Sequence, residues 1–158
     1  MSTKRRQVLL EEVGRATQAY QRATDGFDDA VGKTLSLNPT DLRGLDWLTE
    51  GPMSAGELSD ATGLSTAATT TLLDRLEKKG FIRRERDPED RRRIRAELSD
   101  EGSQVLGTFY GPLAIQGGRL LARFTDRELE MIRDFLFDAT RVVQIEEAKL
   151  RAADGTDR

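Results

Sequence analysis

The sequence contains neither cysteine nor histidine. Zinc sites built from those residues are thereby excluded, as is nucleophilic catalysis by Ser-His-Asp or Cys-His arrangements. No apolar run is long enough to span a bilayer, and the N-terminus, MSTKRRQVLLEEV, lacks the apolar core of a signal peptide. A cytoplasmic location without membrane contact is expected. There is no glycine-rich phosphate loop, metal-ligand constellation or plausible acid/base pair. An enzyme using paired carboxylates therefore has no support, and neither cofactor nor metal is expected. At 158 residues the chain has the length of one compact domain.

Charge is plentiful and unevenly placed. The net charge is −3, yet between Arg75 and Arg95 ten Lys and Arg oppose five Asp and Glu. That segment carries +5, which leaves −8 on the rest. Such polarity would turn one face toward an anion and the other away from it.

Residues 87–102, DPEDRRRIRAELSDEG, show how the positive segment is organised. Asp87-Pro88 suits a tight turn, with Asp at its first position and Pro at its second. Residues 81–86 can run as one strand before it. After it, Ile94, Ala96 and Leu98 alternate with Arg93, Arg95 and Glu97, the period of a half-buried strand. A β-hairpin with a tip and outer face rich in guanidinium groups follows. Alone it could be a solvated charge run. DNA phosphate is the commonest anion to neutralise such a cluster.

The preceding segment favours DNA. Ser54 and Glu57 form a capping box, with Met53 and Leu58 placed as its staple. A short helix over residues 55–61 follows, Gly63 turns the chain, and Ser65 caps a second helix. That helix ends on Lys78, Lys79 and Gly80, with Phe81 placed to fold back on Leu76. Two short helices about a glycine turn, followed by an arginine hairpin, make a winged helix-turn-helix.

Three motifs carry a family resemblance: Leu76-Glu77-Lys78-Lys79-Gly80-Phe81, Asp87-Pro88-Glu89-Asp90-Arg91-Arg92 and Leu98-Ser99-Asp100-Glu101-Gly102. In this order and spacing the chain resembles the multiple-antibiotic-resistance regulator (MarR) family of bacterial transcription factors, most strongly over residues 38–102. Ser99 stands where the family more often has Thr, and Thr71 where many relatives carry Arg or Lys. The resemblance implies a homodimer that represses from a near-palindromic operator and is released by a small organic, often aromatic, effector. It also implies that Arg92 enters the minor groove with Asp90 orienting it. Thiol-based sensing, used by some members, is excluded here.

The other segments read as helices. Leu9, Val13, Ala16, Tyr20, Ala23, Phe27 and Ala30 form one amphipathic stripe. Asn38 and Pro39 open the next helix, with Leu37 stapled to Leu42. Ser99 caps a helix reaching toward Phe124, with a kink expected near Gly111-Pro112. Thr125 and Glu128 box a last helix bearing Leu129, Ile132, Phe135, Leu136, Ala139, Val142 and Val143 on one face. The expected fold is mainly α with a small β-hairpin wing. Residues 1–36 form an N-terminal dimerisation helix, 37–98 the winged helix-turn-helix and 99–151 the C-terminal dimerisation helices. Residues 152–158 form a flexible tail, and the whole is one compact domain.

Helix phase puts Thr69, Leu72, Leu73 and Leu76 on the inner side of the second short helix. The expected DNA-binding set there is Ser65, Thr66, Ala67, Thr70, Thr71 and Arg75. On the wing it is Arg86, Asp90, Arg91, Arg92 and Arg93. Without Arg, Asn or Gln aimed centrally, direct readout is modest and DNA shape matters. Tyr20, Phe27, Trp47, Phe109 and Tyr110 are aromatic candidates near an effector, each more often a core residue. The competing reading is a winged-helix protein-interaction module without sequence-specific DNA binding.

Overall fold

The computed structural model describes residues 3–88, 90 and 92–155, the last two as backbone only. Six helices, α1 (Thr3–Leu35), α2 (Pro39–Thr49), α3 (Ala55–Thr62), α4 (Thr66–Lys78), α5 (Asp100–Leu121) and α6 (Asp126–Gly155), accompany three strands, β1 (Met53–Ser54), β2 (Ile82–Arg86) and β3 (Ile94–Leu98). No helix among the described residues is long and apolar enough to cross a membrane.

Side chains set most helix starts. Asn38 and Asp41 bond reciprocally at the start of α2, and Ser54 and Glu57 do so at α3. Hydrogen bonds from Ser54 hold the Glu57 carboxyl below its ordinary pKa. Ser65 accepts from the Ala68 amide at α4, and Thr125 and Glu128 box the start of α6. Helix ends follow equally local rules. Gly63 closes α3 at φ 70° and Gly80 follows α4 at φ 79°, both left-handed positions that cost glycine little. The Phe81 amide then donates to Leu76 O at 3.0 Å and the Gly80 amide to Glu77 O at 2.9 Å, a Schellman end.

The end of α1 uses the same motif without glycine. Leu37 N donates to Gly32 O at 2.8 Å while Ser36 sits at φ 54°. A side chain in that region is strained by about 1–2 kcal/mol. Ser36→Gly is therefore expected to raise the unfolding free energy by about 0.5–1 kcal/mol, after the extra freedom of glycine in the unfolded chain is subtracted. A urea titration checks this, and a lowered midpoint at unchanged slope would refute it.

The described chain divides into two compact units, residues 1–109 and residues 110–158. Among the described residues, the first holds the buried apolar core, from Val31 through Leu45, Leu58, Leu72, Leu76 and Ala96 to Leu106. Its sheet is antiparallel with order β1-β3-β2, pairing Arg84 with Ala96 and Arg86 with Ile94. Strand β1 was not expected, because two residues carry no period. Ile94 is 59% exposed instead of half-buried, for its register position lies at the wing end opposite Arg86.

The second unit comprises the C-terminal part of α5 and all of α6. Helix α5 runs without interruption through Pro112, the expected kink position. Helix α6 runs past residue 151 to Gly155, its last turns braced by Lys149–Glu146 and Arg151–Glu147 pairs. Residues 156–158, the rest of the expected tail, lie outside the described residues. Along α6, Met131, Phe135, Leu136, Phe137, Val142 and Val143 are exposed, as are Val8, Leu9, Leu10, Val13 and Tyr20 along α1.

Candidate nucleic-acid interface

Helix α4 separates its residues as its phase requires. Thr69, Leu72, Leu73 and Leu76 are buried, packing α4 into the unit core beside Leu58 of α3. Ser65, Thr66, Ala67, Thr70 and Thr71 are exposed together on the other side. The hydroxyls of Thr70 and Thr71 donate back to Thr66 O and Ala67 O, both at 3.0 Å. Their protons are thus committed to the helix, which leaves oxygen lone pairs and methyl groups facing outward. Such a surface can accept from adenine or cytosine amino groups and meet thymine methyls.

Arg75, expected in the same set, is directed elsewhere. Its Nε and Nη2 donate to Asp41 Oδ1 at 2.8 and 2.5 Å, and the Asp41 side chain is only 2% exposed. Hydrogen bonding to Asp41 raises the guanidinium above its already high ordinary pKa. The first task of Arg75 is to join α4 to α2. The capping-box spacing from Asn38 to Asp41 marks that carboxylate as a helix cap in the sequence, but its tie to Arg75, 34 residues away, has no local signal.

The arginine cluster divides in a similar way. Arg83 pairs with Glu85 and Glu97, and Arg84 reaches Asp74 and Glu77 on α4. Arg95 meets Pro52 O, Glu57 and Asp87 at the base of the wing. These three therefore bind the hairpin to the helices. Among the described residues, no carboxylate lies within ion-pair distance of Arg86, Arg92 or Lys78. Arg93 is 72% exposed and has one long contact, 3.6 Å, to Asp90. Among the described residues, Arg86 and Arg92 thus remain available on the wing and Lys78 at the end of α4, while Arg83, Arg84 and Arg95 are neutralised.

The wing tip is built on two aspartates. Asp87 is buried and its Oδ1 accepts from the Asp90 amide, three residues on, at 3.3 Å, a local side-chain bond of the kind that caps helices. Its own amide donates to Arg93 O at 2.9 Å. Asp90 was expected to hold the Arg92 guanidinium. Its carboxylate instead accepts from the Arg92 backbone amide at 3.1 Å and pairs with the Arg93 side chain. Short range explains this, because a carboxylate two residues upstream is well placed for the amide. Arg91, also in the expected set, lies outside the described residues.

Comparison with known proteins agrees with this architecture. The MarR family profile matches residues 37–94, from just before α2 to the first residue of β3. The chain is 38% identical over 155 residues to the HTH-type transcriptional regulator YcgE of Bacillus subtilis, covering 96% of this chain and 99% of that protein. A MarR family protein from Bacillus stearothermophilus has the same fold, with a TM-score of 0.61 at 23% identity over 91% of this chain and 99% of that one. So does an S. aureus MepR mutant bound to an oligodeoxyribonucleotide, with a TM-score of 0.52 at 16% identity over 81% of this chain and 97% of that one. On the strength of the near-complete match to YcgE and the winged-helix geometry, the chain belongs to the MarR family of winged helix-turn-helix transcriptional regulators.

Proposed function

We propose that the protein works as a homodimeric DNA-binding regulator that represses by occupying a near-palindromic operator. One observation carries the reading: the exposed Ser65–Thr71 side of α4 accompanies wing cations left without carboxylate partners among the described residues. The S. aureus relative bound to an oligodeoxyribonucleotide supports DNA as the partner. A dimer is supported by the exposed apolar stripes of α1 and α6, which a single chain leaves in water. Two-fold symmetry would set two recognition helices about one DNA turn apart, roughly 34 Å. A small organic effector that altered this spacing would release the DNA.

Within this reading Ser65, Thr66, Ala67, Thr70 and Thr71 face the major groove. Arg92 enters the minor groove, while Arg86, Arg91 and Arg93 meet phosphates. Asp90 shapes the wing tip. The test is fluorescence anisotropy on duplexes that the wild-type protein selects from a random pool. Arg92→Ala is expected to weaken binding by about 10-fold, and Arg86→Ala by much less. The Arg92→Ala loss should be greatest where the wing site is A·T-rich, because narrow grooves concentrate negative potential. The salt dependence should flatten by about one unit of slope or less. Equal effects of the two variants on every duplex would make the wing a diffuse phosphate clamp. Failure to select any sequence would favour a protein-interaction module.

A further inference from the structure

Helices α2 and α4 meet along a seam with three ties. Leu72 packs against Gly44 so closely that a Cβ there would stand 2.8 Å from Leu72 Cδ2. One turn on, Arg75 grips Asp41. Just past α4, Lys79 Nζ donates to Ser36 O, in the turn that precedes α2, at 2.5 Å. Positions 72, 75 and 79 thus meet 44, 41 and 36 in reverse chain order. The first tie is apolar and tolerates sliding or rotation. The other two are directional and do not.

Asp41 stands at the centre of the seam, and its two oxygens have different tasks. Oδ2 accepts from the Asn38 amide at 3.1 Å, which fixes the start of α2, and Oδ1 takes both contacts from Arg75. Among buried polar residues it is nearly inaccessible, at 1% exposure. A buried carboxylate is costly to desolvate, and packed apolar residues often stabilise such a place as well. Geometry is what the charged pair adds.

We infer that Asp41 is a positioning residue for DNA recognition, acting through Arg75 to set the rotation of α4 on α2. This rests on the DNA-binding reading above. A helix with its side chains has a radius of about 5 Å, so a 10° rotation moves its outer atoms by about 1 Å. Contacts to base edges tolerate roughly half that displacement. Phosphate contacts made by long flexible cations tolerate far more. Loosening the seam should therefore reduce discrimination between sequences more than it reduces affinity for DNA in general.

The experiment compares wild type, Asp41→Asn, Arg75→Lys and the double variant on two probes: the duplex selected by wild type, and a random duplex of equal length. Asp41→Asn is nearly isosteric and keeps an acceptor for the Asn38 amide. Arg75→Lys keeps the positive charge and loses the planar fork. Each single variant is expected to lose about 10-fold on the selected duplex and less than about 2-fold on the random one, at temperatures well below melting. The double variant should lose no more than the worse single one, because both act on one contact. If the selected-to-random ratio stays at the wild-type value, Asp41 is merely structural and the inference is overturned. Additive losses would overturn it as well, by showing that Arg75 touches DNA independently. Should Asp41→Asn fail to fold, Arg75→Lys carries the same readout. A wild-type protein that selects no sequence would instead overturn the DNA-binding reading, and this inference with it.

Discussion

Gly102→Ala is expected to leave the protein unfolded or nearly so at 37 °C. An alanine Cβ at this position would stand 2.1 Å from Phe81 O and 2.8 Å from Phe81 C. Both obstacles are backbone, so no side-chain rotation relieves them. Phe81 O cannot easily withdraw, since it accepts from the Ser99 amide at 3.0 Å. The Phe81 amide is also committed, to the end of α4. Ser99 fixes the opposite side of the junction, with its hydroxyl donating to Gly80 O at 2.6 Å and accepting from the Gly102 amide at 2.9 Å. The exit of the sheet into α5 is thus held on the end of α4, and it has no room for a methyl group. Overpacking of ordinary cores costs about 1–3 kcal/mol, and a backbone clash of this depth should exceed that range. Against a total stability of roughly 5–15 kcal/mol, a loss of this size is decisive. Circular dichroism melting checks the expectation. A melting temperature within a few degrees of wild type would show that the junction can open without cost.

Removing residues 1–30 is expected to abolish the dimer and, with it, most operator affinity. The deletion takes away the exposed Val8, Leu9, Leu10, Val13 and Tyr20 of α1. It spares Val31 and Leu37, the first residues of the chain to enter the winged unit's core. The winged unit should accordingly keep its fold while losing the α1 part of the apolar surface assigned to self-association. With self-association lost, apolar surface stays in water and solubility should fall. A monomer holds one half-site only. Losing the linked second half-site removes an effective-concentration gain of about 100-fold or more. Sedimentation and anisotropy on the selected duplex test both parts. A truncated protein that sediments as a stable, soluble dimer would refute the interface assigned to α1.

What the sequence determined by itself is short in range. The caps at Asn38, Ser54, Ser65 and Thr125, the glycine ends at Gly63 and Gly80, and the buried row Thr69, Leu72, Leu73 and Leu76 all stand where residue spacing puts them. Each depends on groups within about four residues of one another, and such rules operate before the chain has any tertiary structure. The motifs around Gly80, Asp87 and Gly102 were legible for the same reason. The purpose of Gly102 was not, because the carbonyl that forbids a side chain belongs to Phe81. The fate of each arginine was equally hidden. Ten cations between Arg75 and Arg95 look alike in a list of letters. Only the packed chain brings Asp41 to Arg75, Asp74 and Glu77 to Arg84, and Glu57 to Arg95, leaving Arg86 and Arg92 without carboxylate partners among the described residues. Charge is a property of a residue, whereas its neutralisation depends on which distant carboxylate the fold brings within reach.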